Sequence, residues 1–461
     1  MSMDWINCIS AQRTGKATQP TSIRSDYQRD YDRLIFSSAF RRLQNKTQVF
    51  PLPGSSIFVH NRLTHSLEVA SVGRSLGSII GQHIAEQQVA DHSEAVRFYL
   101  HELKGVIGAA CLAHDVGNPA FGHSGEKAIS NYFITHADTA IDGANLRSFF
   151  TEAQWSDLTN FEGNANALRL LTHQFRGKAK GGTGLTYTTL ASILKYPCES
   201  MAVSKAQKHT KKYGYFQSEH DIFNEIVQGT NMLHQSDSPT VYRRHPFVYL
   251  VEAADDICYR IIDMEDAHRI KLLSRAEIEE AFVSLLTELD DDPSKTSKIT
   301  DTLTQLTDDN EAVTYLRAKT INALVLECAR LYAKHMPAII SGTYTSTLLD
   351  DVEQRCPTLQ RIEAISIDRI YNHHSVIKVE LAGYKVMSGL LDVFVPAILK
   401  AKPKGIERGS LKLIPQQFLY ETDDPYQRVM GVVDFVSGMT DDYAMDMYRS
   451  IMGIDIAPHT V

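Results

Sequence analysis

Three long segments of this 461-residue chain repeat their apolar residues with the period of an α-helix. They run from 63 to 86, from 95 to 114 and from 246 to 270. Apolar residues spaced three or four apart form one face of a helix, and that face has to be buried against other elements. The alternating pattern of a β-strand is scarce along the chain. These observations predict an all-α fold, with short strands expected only near the C-terminus, at 413–418.

The composition limits the kind of protein that such a chain can be. Its hydrophobic residues, 43% of the total, are enough for a substantial core. The net charge of −8 excludes a protein that binds nucleic acid through its overall charge, although a local basic patch remains compatible with it. The six cysteines are far apart and form no CxxC pair, which favours a reducing compartment over a disulfide-bonded or zinc-thiolate protein.

The sequence also bears on location. Its first residues lack the basic and apolar regions of a secretory signal, and we find no apolar run near the roughly 20 residues that span a bilayer. We therefore expect a cytoplasmic protein that does not enter a membrane.

The helical patterns divide the chain into three regions. An N-terminal segment, 1–24, precedes a helical core at 25–275, and residues 276–461 form a helical C-terminal lobe. The polar, acidic stretch 287–311 indicates a boundary or a surface excursion, and the glycine-rich stretch 177–188 predicts a loop.

Four polar side chains stand out because they lie in helical segments beside apolar stripes: His65, His114, Asp115 and Asp255. A buried, ionised carboxylate is costly unless it is paired or bound to a metal. Two imidazoles and two carboxylates suit a divalent ion such as Mn²⁺, Fe²⁺, Co²⁺, Ni²⁺ or Mg²⁺. Each of these residues alone is more often an ordinary core or helix residue, so the interpretation as a metal site depends on the combination.

A helix breaker follows the His114-Asp115 pair. Adjacent residues inside a helix do not face one point, but at a helix end both side chains can turn toward the same ion. Gly117-Asn118-Pro119 supplies that end. We predict that Ser124 caps the helix that follows.

Five stretches together resemble a known family. "HNRLTHSLEV" (60–69), "HDVGNPAFGHSGE" (114–126) and "EAADDICYRIID" (252–263) are similar to the motifs of HD-domain metallohydrolases. "SDYQRDYDRLIFSSAFRRLQNKTQVF" (25–50) and "VVDFVSGMTDDYA" (432–444) narrow the resemblance to the dGTPase and dGTPase-like dNTP triphosphohydrolases. The resemblance implies an HD-type helical core followed by the C-terminal lobe.

The resemblance also implies the catalytic groups. His65, His114, Asp115 and Asp255 would hold one divalent metal per subunit, with Mn, Mg, Co or Ni as candidates. His123 and Glu126 would form a catalytic pair, in which the carboxylate orients a histidine that acts as general base or acid. The plainer alternative is that Glu126 only places favourable charge in the first turn of a helix.

Seven more residues are implied as substrate contacts. The resemblance places Arg62 and either Lys212 or Lys211 at the phosphates, Gln48 and Asp263 at the 3′-hydroxyl, and Val49 and Tyr259 where a ribose 2′-hydroxyl would lie. Asp255, Tyr259 and Asp263 are spaced to share one helix face. Without the resemblance, a tyrosine at this spacing is more often core, lysine runs are usually solvated, and an arginine often forms a surface salt bridge.

The functional hypothesis is hydrolysis of a dNTP, such as dGTP, to deoxynucleoside and inorganic triphosphate. Another HD-type nucleotide phosphohydrolase is an alternative with the same metal ligands. A nucleic-acid-binding regulatory scaffold is a third, supported by lysines within 205–212 and by the basic loop 399–412. The resemblance also implies a homo-oligomer, possibly a hexamer, and an interaction with single-stranded DNA.

Overall fold

The computed structural model describes residues 3–15, 24–51, 59–290 and 292–455, and it confirms the all-α fold. Its first helices are α1 (Asp26–Ile35), α2 (Ser38–Arg42), α3 (Arg62–Gln87), α4 (Ser93–Arg97), α5 (Leu103–Ala113), α6 (Gly122–Thr135), α7 (Glu152–Thr159), α8 (Gly163–Thr172), α9 (Tyr187–Ile193), α10 (His220–Gly229) and α11 (Val248–Arg269). The remaining helices are α12 (Arg275–Leu289), α13 (Pro293–Gln305), α14 (Asp309–Ile340), α15 (Leu348–Glu353), α16 (Pro357–Ile365), α17 (His374–Leu399), α18 (Ile406–Leu411), α19 (Pro425–Ser437) and α20 (Asp441–Ile451).

Two small hairpins interrupt the helices. Strands β1 (Ala140–Ile141) and β2 (Ala144–Asn145) pair antiparallel, as do β3 (His234–Asp237) and β4 (Thr240–Tyr242). Neither lies where strands are expected from the sequence.

The strand prediction at 413–418 is wrong. This segment forms a turn followed by a 3₁₀-helix, Gln416–Phe418. Pro415 has no N–H for a strand ladder, and the four-residue spacing of the buried Ile414 and Phe418 is compatible with a helical turn as well as with a strand.

Glycines let α3 and α5 approach closely. Gly73, Gly77 and Gly81 recur every fourth residue of α3, so they share one face. A Cβ atom at Gly73 would lie 2.5 Å from Sγ of Cys111, and one at Gly81 would lie 2.2 Å from the carbonyl oxygen of Tyr99. Because the backbones are so close, the N-terminal turn of α3 comes near the C-terminal end of α5.

The buried apolar residues form two cores. The first joins α3, α5 and α11 with α12, α14 and α16, and the second joins α6 with α17 and α19. Both cores therefore combine residues from before and after 275, and the domain boundary at that position stays a prediction.

Within the described residues, one helix, α17, is long and apolar enough to cross a membrane by length and composition. In its most apolar window, 56% of the residues are buried inside the protein. A core helix has the same properties, and α17 packs in the second core. The expectation that the protein stays out of membranes remains a prediction.

Two local predictions concern the turn before α6. The break after α5 is confirmed, because α5 ends at Ala113 and His114 is its C-cap residue. The predicted cap at Ser124 is wrong. Helix α6 begins at Gly122, after Phe121 in the left-handed conformation, and the Ser124 hydroxyl donates to the carbonyl of Glu380.

Candidate active site

Three helices bring the predicted metal ligands together. His65 lies in the first turns of α3, His114 caps α5, and Asp255 projects from the middle of α11. Ligand atoms of these three side chains lie within 4.8 Å of one another. Oδ1 of Asp255 is 3.1 Å from Nε2 of His65 and 3.4 Å from Nε2 of His114. Donor atoms bound to one ion at about 2.1 Å stand about 3.0–3.4 Å apart, and the two distances from Asp255 lie in that range.

His114 is oriented as a metal ligand. Its Nδ1–H donates to the carbonyl of Cys111 at 2.6 Å, and since a carbonyl only accepts, the proton must be on Nδ1. In the neutral form of the imidazole, Nε2 then carries the lone pair, and this atom is buried with no hydrogen-bond partner among the residues that the structure describes. A buried, unpaired imidazole nitrogen beside a carboxylate is what a metal-binding histidine presents.

Asp115 lies at the edge of this group. Its Oδ1 is 3.5 Å from Nε2 of His114 and accepts from the Asn118 amide at 2.5 Å. Its Oδ2 accepts from Nη1 of Arg62 at 2.7 Å. Arg62 therefore forms a buried ion pair here, where a surface salt bridge was the plainer alternative.

The charges around these residues favour a cation. Burial alone would lower the pKa of His114, but Asp115 and Asp255 outweigh it and raise the pKa to about 9. Burial would raise the pKa of Asp255, yet the two imidazoles hold it well below its usual range. Burial likewise opposes ionisation of Asp115, but Arg62 lowers the pKa of that carboxyl. Two carboxylates thus stay ionised, Asp115 in a buried position and Asp255 in a half-buried one.

His123 and Glu126 form a hydrogen-bonded pair at the start of α6. Nδ1 of His123 lies 2.8 Å from Oε2 of Glu126, and Oε1 of Glu126 accepts from the N–H of Gly163 at 2.8 Å. Burial opposes ionisation of Glu126, but His123 and Lys212 keep its pKa below the usual value. The histidine side chain is 73% exposed, whereas Glu126 is buried. A buried carboxylate therefore holds an accessible imidazole.

All of these groups line one cavity of 510 Å³. Its wall contains the predicted metal ligands, His123, Glu126 and Arg62, together with Lys195, Lys211 and Lys212. Lys212 is half-buried and its Nζ is 2.9 Å from Oε1 of Glu162, while Lys211 is exposed. The cavity thus combines a cation-binding group with several cationic side chains.

A smaller cavity of 220 Å³ adjoins the first, and both share Gln48, Arg62, His123 and Tyr259. Its wall is more apolar and includes Val49 and Tyr371. The rings of Tyr259 and Tyr371 stack with centroids 5.5 Å apart. Oε1 of Gln48 is buried and has no hydrogen-bond partner within the described parts of the chain.

Asp263 is not at the cavity surface. It is buried, and its Oδ2 accepts from the hydroxyl of Tyr371 at 2.8 Å. The predicted spacing on α11 is confirmed, but the structure places this carboxylate one hydrogen bond away from the cavity wall.

Lys195 and Tyr371 are among the wall residues that the sequence prediction missed. Lys195 follows α9 and forms a 3.3 Å ion pair with Glu252, and Tyr371 ends a short π-helical turn, Ser366–Tyr371. The lysine in "LKYP" carried no charge cluster that would single it out. Tyr371 is more than 100 residues from Tyr259 in sequence, so its contact is visible only in the fold.

Comparison with known proteins shows the family of this chain. The HD domain family matches residues 62–195, and the phosphohydrolase-associated domain matches residues 352–450. Deoxyguanosinetriphosphate triphosphohydrolase-like proteins of Synechocystis and Pseudomonas aeruginosa are 35% and 36% identical, over 98% of this chain and 100% and 99% of their own lengths. A deoxyguanosinetriphosphate triphosphohydrolase of Yersinia enterocolitica is 30% identical over 98% of this chain and 99% of its own. This protein therefore belongs to the deoxyguanosinetriphosphate triphosphohydrolase-like family of HD-domain proteins.

Proposed function

We propose that this protein hydrolyses deoxynucleoside triphosphates, dGTP among them, to the deoxynucleoside and inorganic triphosphate, and that the reaction depends on a divalent metal. One observation carries the proposal. The predicted metal ligands and the His123–Glu126 pair line one cavity together with Arg62 and three lysines, and this cavity adjoins a smaller, more apolar one. The larger cavity suits a triphosphate and the smaller one a nucleoside.

His123 supplies the proton transfer. Glu126 keeps the proton on Nδ1, so Nε2 is an acceptor that faces the cavity. In this form the imidazole takes a proton from the water that attacks the α-phosphorus. The bond between that phosphorus and the 5′-oxygen breaks, and the imidazolium returns its proton to the 5′-oxygen.

Cations hold the triphosphate. His65, His114, Asp115 and Asp255 are the residues that would hold one ion, with Mn²⁺, Mg²⁺, Co²⁺ and Ni²⁺ as candidates. When bound, the ion neutralises phosphate charge and polarises a phosphoryl oxygen. Arg62, Lys212, Lys211 and Lys195 bind the remaining phosphate oxygens. Nε of Arg62, buried and without a hydrogen-bond partner among the described residues, supports this role.

The smaller cavity selects the sugar. Gln48 binds the 3′-hydroxyl, which would satisfy its buried side-chain oxygen. Val49 and Tyr259 fill the space that a ribose 2′-hydroxyl would need. Asp263 holds the hydroxyl of Tyr371 in this structure, so we assign it to the sugar site through that tyrosine.

Product identity tests the proposal. Protein supplied with Mn²⁺ is incubated with each dNTP and each NTP, and the products are separated by anion exchange. We expect triphosphate and deoxynucleoside in equal amounts from dNTPs and much slower turnover of NTPs. Release of pyrophosphate or single phosphate alone would contradict the proposal, and turnover of cyclic nucleotides or monophosphates instead would indicate another HD-type phosphohydrolase.

A further inference from the structure

The C-terminal segment 432–444 contacts loops and helices that carry residues of the candidate active site. Asp434 in this segment forms a buried ion pair with Arg169 at 2.7 Å. The carbonyl of Ser437 accepts from Nζ of Lys46 at 3.2 Å. Asp441, the first residue of α20, contacts two loops of the site.

The carboxylate of Asp441 joins these two loops. Its Oδ2 accepts from the backbone N–H of Thr47 at 2.8 Å, and its Oδ1 accepts from the backbone N–H of Phe121 at 2.9 Å. Thr47 directly precedes Gln48, and Phe121 is two residues before His123. Both oxygens of a carboxylate accept, whereas an amide side chain offers one acceptor, so this pair of contacts requires an aspartate.

The loop that contains Phe121 needs the support of such a hydrogen bond. Phe121 has a φ of 59° and Gly122 one of 55°, so two consecutive left-handed residues lead into the helix that carries His123. For a phenylalanine this conformation is strained and persists only when its surroundings hold it. The ring of Phe121 lies against Gly383 of α17, where an added Cβ would be 2.3 Å from its Cγ.

Lys46 provides a second connection between the same parts. Its buried Nζ donates to the carbonyl of Asn118 at 2.6 Å as well as to that of Ser437. The amide of Asn118 in turn donates to Asp115. The loop that carries Gln48 is thus tied to the predicted metal-binding loop.

We propose that Asp441 is a positioning residue, which with Lys46 fixes the sugar-contact loop 46–49 relative to the catalytic turn 119–123. The inference rests on the proposed function, because Asp441 would set the distance between the bound nucleoside and the catalytic histidine. A nucleotide whose sugar is held by one loop reacts efficiently only if the histidine on the other loop is correctly positioned relative to it.

The test compares Asp441→Asn with Asp442→Asn. Asp442 is exposed, lies in the same helical turn and carries the same charge, so it controls for the loss of charge at the start of α20. We expect Asp441→Asn to lower kcat for dGTP about 10- to 100-fold, by misplacing His123, and to weaken the preference for dNTP over NTP. Asp442→Asn should stay within about twofold of the wild type in both, since its carboxylate faces solvent. Equal kinetics in the two variants would overturn the proposal.

Hydrogen exchange gives a readout that needs no substrate. Backbone amides in 44–50 and 118–124 should exchange faster in Asp441→Asn than in Asp442→Asn, and unchanged exchange would overturn the proposal. If the wild type releases no triphosphate, the proposed function fails while the exchange comparison still decides the positioning role. If Asp441→Asn does not fold, Lys46→Met takes its place, since it removes the second connection. Wild-type kinetics and exchange in that variant would overturn the proposal.

Discussion

Two histidines of the candidate site, His114 and His123, are each oriented by a hydrogen bond at one ring nitrogen. The carbonyl of Cys111 fixes the tautomer of His114, and the carboxylate of Glu126 fixes that of His123. Nε2 of His114 lies 3.4 Å from Oδ1 of Asp255, whereas the exposed imidazole of His123 lines the cavity. In the proposed function, the first histidine binds the metal and the second transfers the proton.

The different roles proposed for these two histidines predict different effects of substitution on metal binding and on turnover. Asp115→Ala or His114→Ala should abolish metal binding and turnover together, because each removes a predicted ligand. His123→Ala should bind metal with wild-type affinity and lose about 100-fold or more in kcat, since general acid–base catalysis contributes about 10²–10⁴-fold. Calorimetric titration with Mn²⁺ and steady-state kinetics measure the two effects, and equal metal loss in all three variants would contradict this division of roles.

A second residue-scale prediction concerns Asp157, a buried carboxyl remote from catalysis. Burial raises its pKa from 3.8 to about 7, despite hydrogen bonds from the N–H of Gln217 and the hydroxyls of Ser200 and Tyr426. Below pH 3.8 the carboxyl is protonated in both the folded and the unfolded chain. The contribution of the neutral carboxyl to the unfolding free energy is then fully present. As pH rises toward 7 the unfolded chain ionises first, so stability falls by about 2–3 kcal/mol between pH 5 and pH 8.

Asp157→Asn tests this prediction, because an amide does not titrate. The difference in unfolding free energy between wild type and variant, measured by urea denaturation, should shift in favour of the variant as pH rises. Glu152→Gln, on the exposed side of the same helix, is the control. A difference that stays constant from pH 5 to pH 8 would show that Asp157 keeps an ordinary pKa.

Residues within local motifs were predictable, while residues brought in by distant packing were not. His114, Asp115, His123 and Glu126 lie within 13 positions of one another, and a helix breaker marks their turn. Asp441 and Tyr371 reach the site only because the C-terminal helices fold back on it. Their sequence surroundings resemble those of any capping aspartate or core tyrosine.

At the scale of helices, Gly81 allows α3 to approach closely the segment that leads into α5. A Cβ at Gly81 would collide with the carbonyl oxygen of Tyr99, whereas a Cβ at Gly105 would meet no described atom within 4 Å. The two glycines thus form a matched pair on packed neighbouring helices.

Alanine substitutions at these glycines should have opposite effects. Gly81→Ala should lower the unfolding free energy by about 1–3 kcal/mol, because the helices must separate. Gly105→Ala should raise it by up to about 1 kcal/mol, because alanine favours the helix and fits the space. Thermal or urea denaturation measures both, and destabilisation by Gly105→Ala or none by Gly81→Ala would contradict the packing.

Helical periodicity predicted the long helices well, but it did not define their ends. The segment 95–114 is helical as predicted, yet it contains a π-helical stretch, Phe98–Glu102, that no periodic pattern indicates. Helix α6 starts two residues before Ser124 through two left-handed residues, and a phenylalanine gives no signal for that conformation. The apolar pair Ile414 and Phe418 fits a strand or a helical turn, and Pro415 is the residue that disfavours the strand.

For the whole molecule, metal binding should be visible as stability. The four predicted ligands come from α3, α11 and the end of α5, so an ion bound by them stabilises the folded state of the larger core. Mn²⁺ at about 100 times its dissociation constant should add about 2.7 kcal/mol and raise Tm, and EDTA should reverse the shift. Asp255→Asn should abolish the shift, and an equal shift in this variant would place the ion elsewhere.

The second core is built largely from α6, α17 and α19, so the C-terminal lobe forms part of the site's support and not a separate appendage. Homo-oligomerisation, with a hexamer as the form that the resemblance implies, stays a prediction. Single-stranded DNA binding and a cytoplasmic location stay predictions as well.

The central claim is that one ion, held by His65, His114, Asp115 and Asp255, lies beside the α-phosphate of a dNTP that His123 helps to hydrolyse. Anomalous diffraction from crystals grown with Mn²⁺ and a non-hydrolysable dNTP analogue tests it most directly. We predict one manganese peak bonded to these four side chains, with Nε2 of His123 facing the α-phosphorus. A bound nucleotide with no ion among the four, or with the ion at other residues, would contradict the account.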